Sequence, residues 1–145
     1  MLRQAEQSDL QSIQSLLAHY DLPTADCAAH LRTFLVIEDE QKVIAVGGYE
    51  VSGDNGLIRS FAVHPDFKGQ GLAELIFHAL KEQAQKSNFA KFYLLTTTAS
   101  SYFERLGFIR CERDQVPAEI KATDQFSSLC PASATTMVLP LVGDR

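Results

Sequence analysis

A chain of 145 residues, 46% hydrophobic and 21% charged, fits one domain spanning residues 1–145, long enough to bury roughly two thirds of its unfolded surface. A formal net charge of −5 without any concentration of Lys and Arg argues against nucleic acid as a partner. No apolar run approaches the ~20 residues of a membrane span, and three widely spaced cysteines, Cys27, Cys111 and Cys130, suggest buried or idle thiols rather than a disulfide framework, a zinc site or any other metal centre.

The opening MLRQAEQSDLQS turns polar at once and has no apolar core like that of a signal peptide, which points to a cytoplasmic protein. LRQAEQSD reads as a short strand. Ser8 can then cap a helix carrying Leu10, Ile13, Leu16, Leu17 and Tyr20 at helical spacing. TADCAAHLR suggests a second short helix capped by Thr24, and TFLVIED a strand. KVIAVGGYEV and LIRSFAV are strands flanking SGDNG, where Asn55 and Gly56 would supply the positive φ angles of a tight hairpin. Leu75, Ile76, Ala79, Leu80 and Gln83 mark the buried stripe of a helix from Leu72 to about Ser87. KFYLLTT is a strand, ASSYFERLGF a short helix ended at Gly107, FIRCER a strand, and ATTMVLPLV the last one. The result is a mixed α/β domain with an antiparallel first half and a crossover helix in the second.

The strand-to-helix turn HPDFKGQG between Val63 and Leu72 is the most informative stretch. Helix N-termini present unpaired N–H donors and a partial positive charge, and glycines let an anion approach the backbone closely. A dinucleotide fingerprint starting at Gly69 fails at Glu74, and a Walker loop lacks its Gly-Lys-Ser/Thr. What matches is a pattern of Arg or Gln, two residues, Gly, one residue, then Gly or Ala, here Lys68, Gly71 and Ala73, with Lys68 departing from the usual Arg or Gln. About thirty residues on, TTTASSYFERLGF places Ala99, Phe103, Gly107 and Phe108 on a second pattern.

Together these motifs resemble the GNAT N-acetyltransferase superfamily, over residues 57–108. LIRSFAV, YLLTTTA and LCPASA are similar to amino-acid N-acetyltransferases, including those associated with arsenic resistance. The resemblance implies a mixed, mostly antiparallel sheet of about six to seven strands flanked by about four helices. It implies acetyl-CoA as cosubstrate, with the pyrophosphate on Lys68, Gly69, Gln70, Gly71, Leu72 and Ala73, and the thioester oriented by the backbone of Phe61, Ala62 and Val63. Thr96 stands where the family often has an Asn contacting the pantetheine arm, and Phe103 where many members carry a Tyr that protonates the leaving thiolate. Lys68 keeps the charge of the usual Arg but lacks its planar fork.

In the same family an acid near the position of Glu50 can deprotonate the amine through water; a solvated strand-end carboxylate is the alternative. His64, before Pro65, reads as a turn residue, and His19, His30 and His78 as helix-surface positions. Strand alternation puts Arg59, Phe61 and Val63 on one face, where a guanidinium among apolar neighbours needs an anion, either a substrate carboxylate or an internal Asp or Glu. The expected function is acetylation of a small primary amine, an amino acid or analogue. Acetylation of a protein or peptide and acyl-CoA sensing without turnover stand as alternatives, and pairing as a homodimer through the last strand stays open.

Overall fold

The computed structural model describes residues 1–22, 24–97, 99–123 and 134–141. Along the chain run β1 (Leu2–Gln4), α1 (Leu10–His19), β2 (Phe34–Asp39), β3 (Lys42–Ser52), β4 (Asn55–Val63), α2 (Leu72–Lys86), β5 (Lys91–Thr96), α3 (Ser100–Arg105), β6 (Ile109–Arg110), α4 (Ala118–Lys121) and β7 (Thr135–Pro140). The seven strands hydrogen-bond in the order β1-β2-β3-β4-β5-β7-β6, as the mixed, mostly antiparallel α/β class requires. β4 and β5 run parallel, paired at Asn55, Gly56 and Leu57. The chain divides into two compact units, Met1–Glu50 with Arg59–Gln83, and Val51–Ile58 with Ala84–Arg145.

In the first unit, the apolar spacing of α1 buries Ile13, Leu16 and Leu17 in a cluster with Cys27, Leu31, Phe34, Val36, Val46 and Ala62. Each large side chain fully removed from water there contributes about 1.5–3 kcal/mol. α1 is not started by Ser8. A 3-10 turn, Gln7–Asp9, precedes it, and the Asp9 carboxylate accepts the Glu6 N–H at 2.8 Å while Arg3 grips it at 2.8 Å. The stretch after Thr24 is likewise a 3-10 segment, Cys27–Thr33, with Asp26 and not Thr24 at its N-cap; the Asp26 side chain makes no capping bond. That carboxylate is drawn instead to Arg59.

Gly47 and Gly48 show what the two faces of β3 carry. A Cβ on Gly47 would collide with Phe61 and Ile76 at 2.9 and 2.8 Å, and one on Gly48 with the Phe34 ring. Consecutive strand residues face opposite ways, so Phe61 packs on the α2 side while Phe34 and the Arg59 guanidinium above it, 5.8 Å from the ring centroid, lie on the other. Arg59 and Phe61 therefore do not share a face. Ser60, between them, has φ +63° inside the strand, and such a left-handed residue breaks the period-2 alternation.

In the second unit, the hairpin ahead of β4 turns on Gly53, at φ +60°. Asn55 and Gly56, expected at the turn, already belong to β4, where they pair with Lys91 and Phe92 of β5. The ladder takes them because strand pairing satisfies backbone groups that a wider loop would leave open. Leu57, Tyr93, Val116 and Ile120 form the core cluster here. FERLGF ends α3 in a Schellman motif: Gly107, at φ +108°, donates to the Glu104 carbonyl at 3.1 Å, and Phe108 to that of Phe103 at 3.1 Å. The Phe103 and Phe108 rings meet edge to face, 5.6 Å apart, supplying the apolar contact that accompanies such an ending. FIRCER is a strand only at Ile109 and Arg110. Among the described residues, no helix is long and apolar enough to cross a membrane.

Candidate active site

The turn into α2 has the form its sequence suggests. His64 caps a 3-10 turn, Pro65–Phe67, its Nδ1 accepting the Asp66 N–H at 3.1 Å, so it serves the turn. Gly69 and Gly71 follow at φ +80° and +77°, conformations open to glycine and costly for other residues. A Cβ at either position would meet nothing within 4 Å, so the backbone edge there is bare. The Leu75 N–H bonds to the Gly71 carbonyl at 3.1 Å, leaving the amides of the first turn of α2 outside the helical ladder. Residues 68–71 are exposed. Such an edge suits a phosphate group, which needs several N–H donors converging at a helix start.

Lys68 does not project freely from this turn. Its Nζ lies 4.9 Å from the centroid of the Tyr20 ring, a cation–π contact, and the Tyr20 hydroxyl donates to the Val63 carbonyl at 2.5 Å. Tyr20, at the end of α1, thus ties the end of β4 to the base of the turn. The His64 N–H bonds to Ile44 of β3 at 2.7 Å. By strand alternation the Ala62 N–H turns the same way, and those of Phe61 and Val63 turn away from β3.

On the other face of β4 an ion cluster is buried. The Arg59 side chain has no exposed surface. Its Nη1 donates to Asp26 at 2.6 Å and to Glu50 at 3.1 Å, its Nη2 makes a short bond to Asp26, and its Nε donates to Ser60 at 3.1 Å. Of the partners weighed for this guanidinium, the internal carboxylates are the ones present, and a substrate carboxylate would have to displace them. Glu50 is 8% exposed, so it is not a solvated strand-end acid. His30 reaches the same cluster, its Nε2 3.6 Å from Glu50 and 3.9 Å from Asp26. It is half-buried, in a 3-10 segment rather than on an open helix surface.

Burial alone would lower the Arg59 pKa; hydrogen bonds and charge from Asp26 more than offset this and raise it. The same hydrogen bonds hold Asp26 below the usual carboxylate range, against desolvation, as those of Arg3 do for Asp9. Depressed folded-state pKa values give stability that is fully present above the unfolded value of about 3.9 and is lost as pH falls through the folded ones. The urea midpoint should therefore hold between neutral pH and about pH 5 and fall steeply below about pH 4. D9N/D26N should start lower at pH 7 and lose visibly less over the acid range; an equal acid loss would show that these carboxylates do not drive it.

Asp26, His30 and Glu50 also bring metal-ligating atoms within 4.8 Å of one another. The Arg59 guanidinium already occupies both carboxylates, and its charge would oppose a divalent ion there.

The remaining candidates lie in the second unit. Thr96, at the end of β5, accepts the Ala99 N–H on its hydroxyl at 3.0 Å, which leaves its own O–H to donate. Phe103 is 8% exposed within α3. Cys27 and Cys111 are thiols pushed upward in pKa by burial; Cys130 and most of LCPASA lie outside the described residues. Sequence reasoning missed Asp26, His30 and Tyr20. An i, i+4 acid–imidazole pair in TADCAAHLR was the available signal for the first two.

The chain matches the family model described as acetyltransferase (GNAT) domain over residues 30–110. An amino-acid acetyltransferase of Serratia proteamaculans is 30% identical over 91 residues, which are 61% of this chain and 21% of that protein. The chain thus spans about a fifth of the length of this curated relative. Among solved structures, Rv2747 from Mycobacterium tuberculosis, in complex with CoA, superposes with a TM-score of 0.82 at 25% identity, covering 98% of this chain and 99% of that one. N-acetylglutamate synthase from Neisseria gonorrhoeae, complexed with coenzyme A and N-acetyl-glutamate, gives a TM-score of 0.86 at 18% identity over 99% of this chain and 35% of that one, a likeness of fold.

Proposed function

This chain belongs to the GNAT acetyltransferase family, and on that premise we propose that it transfers an acetyl group from acetyl-CoA to a small primary amine, an amino acid or a close analogue. The observation that carries the reading is the bare backbone edge at Gly69 and Gly71, opening onto the start of α2. Acetyl-CoA supplies the acetyl group already activated as a thioester. The amides of residues 69–73 take the pyrophosphate, with Lys68 adding charge beside them. The Phe61 and Val63 N–H groups orient the thioester carbonyl and face the charge that develops on its oxygen. In the second unit the family resemblance singles out Thr96, whose hydroxyl keeps a proton to donate, and Phe103, whose side chain is apolar. Phe103 cannot protonate a leaving group, and a thiol with pKa near ~8.5 leaves tolerably at neutral pH without a dedicated acid.

On the acceptor side, Glu50 receives the amine, held in place by Arg59. Arg59 acts there as a positioning residue, its donors already committed to Glu50 and Asp26. The amino-acid acceptor is supported by the relative from Serratia proteamaculans. Thiol release measured with acetyl-CoA against amino acids, their analogues, polyamines and peptides tests the reading. Acceleration by free amino acids is expected; tight cofactor binding with no amine accelerating release would overturn it.

A further inference from the structure

The ion cluster carries an imbalance that the reading above leaves unused. Asp26 and Glu50 set two carboxylates against one guanidinium, so one negative charge stays uncompensated in a site whose Arg59 side chain is wholly buried. Low-dielectric surroundings make such a charge a strong attractor for one further cation. His30 stands at its rim, side chain 25% exposed, with Nε2 3.6 Å from Glu50 Oε1 and 3.9 Å from Asp26 Oδ2. We propose that His30 is the group that takes the proton from the acceptor's ammonium, the cluster stabilising first the ammonium and then the imidazolium with the same negative charge.

The proposal rests on the acetyltransferase reading. An amine in neutral water arrives as R–NH3⁺ and must lose a proton before its lone pair can attack. Docked at Glu50, it passes that proton to His30 Nε2. Moving a proton between two bases that face one fixed negative charge leaves the site's net charge unchanged, so no new desolvation is incurred. The neutral amine then attacks the acetyl carbon: the C–N bond forms, the C–S bond breaks, and the second N–H proton leaves with the thiolate as thiol. His30 returns its proton to water through its exposed edge. Imidazole is the side chain suited to exchanging protons near neutrality. The groups facing it are Asp26 beside its own 3-10 segment, Glu50 from β3 and Arg59 from β4. The nearby Cys27 is raised in pKa by burial and stays protonated.

Two measurements decide it. In thiol release with acetyl-CoA, H30Q should lower kcat/KM about 100-fold for a strongly basic acceptor such as n-propylamine, in the range typical of general-base loss. For weakly basic 2,2,2-trifluoroethylamine, already neutral in solution, the loss should be less than about threefold. The acid limb of the wild-type pH profile should vanish in H30Q. Equal losses for both amines, or an unchanged pH profile, would make His30 merely structural and overturn the proposal. The second measurement needs no turnover. Because one negative charge can hold only one of the two cations, an ammonium entering beside an imidazolium must expel its proton to water, so calorimetry of n-propylammonium chloride binding to the chain alone at pH 6, in buffers of different ionisation enthalpy, should show proton release in the wild type and none in H30Q. Binding without proton release, or no binding, would sink the shared-charge idea. Proton release with no amine ever acetylated would instead fault the acetyltransferase reading.

Discussion

Replacing Arg59 with Leu should cost about 3–5 kcal/mol of folding stability, because it leaves two carboxylates facing each other in the interior with no counter-charge. Asp26 and Glu50 each accept from this guanidinium, whose side chain is without exposed surface. Urea denaturation should show the midpoint falling with little change in slope. Two further variants separate charge from packing. R59K keeps the charge but loses the planar fork that spans both acids, and should recover part of the loss. D26N/E50Q/R59M removes all three charges together and should be more stable than R59L, since a neutral cluster is less costly than an orphaned pair. If R59L unfolds at the wild-type midpoint, the cluster is solvated in solution and its role at the acceptor site falls with it.

Gly71→Glu should weaken coenzyme A binding at least 100-fold, about 2.8 kcal/mol. Two effects combine. The Gly71 Cβ would project into open space where the bound pyrophosphate is proposed to sit, so added bulk there meets the ligand. A carboxylate there opposes like charge. Gly71→Ala carries the backbone strain of φ +77° in the free and the bound protein alike, so it should cost about 1–2 kcal/mol of folding stability and weaken binding by less than about tenfold. Because the position is exposed and the added Cβ meets nothing, both variants should fold, with secondary structure by circular dichroism unchanged. Coenzyme A binding by calorimetry reads the result; equal dissociation constants for wild type and G71E would remove this turn from the cofactor site.

How legible each site was in the sequence follows from how it is assembled. The turn of residues 64–73 is written in consecutive letters, and its glycines adopt the backbone angles that favour glycine, so local pattern located the turn, while its ligand came from the family resemblance. FERLGF is similarly local: both rings and the glycine of the Schellman ending lie within six residues. The ion cluster draws on positions 26, 30, 50 and 59, from three elements, and local periodicity cannot see such a gathering. Arg59 was recognisable as a charge needing an anion, while its partners were not nameable. Ser60 defeated the face assignment because alternation assumes extended backbone at every residue, and φ +63° is not extended. Asn55-Gly56 misled for a related reason: turn propensity is local, and the parallel pairing with β5 that recruits both residues joins segments more than thirty positions apart.

The half-turn at Ser60 also bears on how such a protein can diversify. By flipping the strand once, it sends Arg59 into the charged cluster and Phe61 toward α2, so neighbours two residues apart answer to different selective demands. A lineage can rewrite the electrostatics of the proposed acceptor side without disturbing the packing that supports the strand's far end, and the reverse. Changes on the two sides should then combine as independent contributions, which is the condition under which one scaffold can acquire new acceptors in single mutational steps.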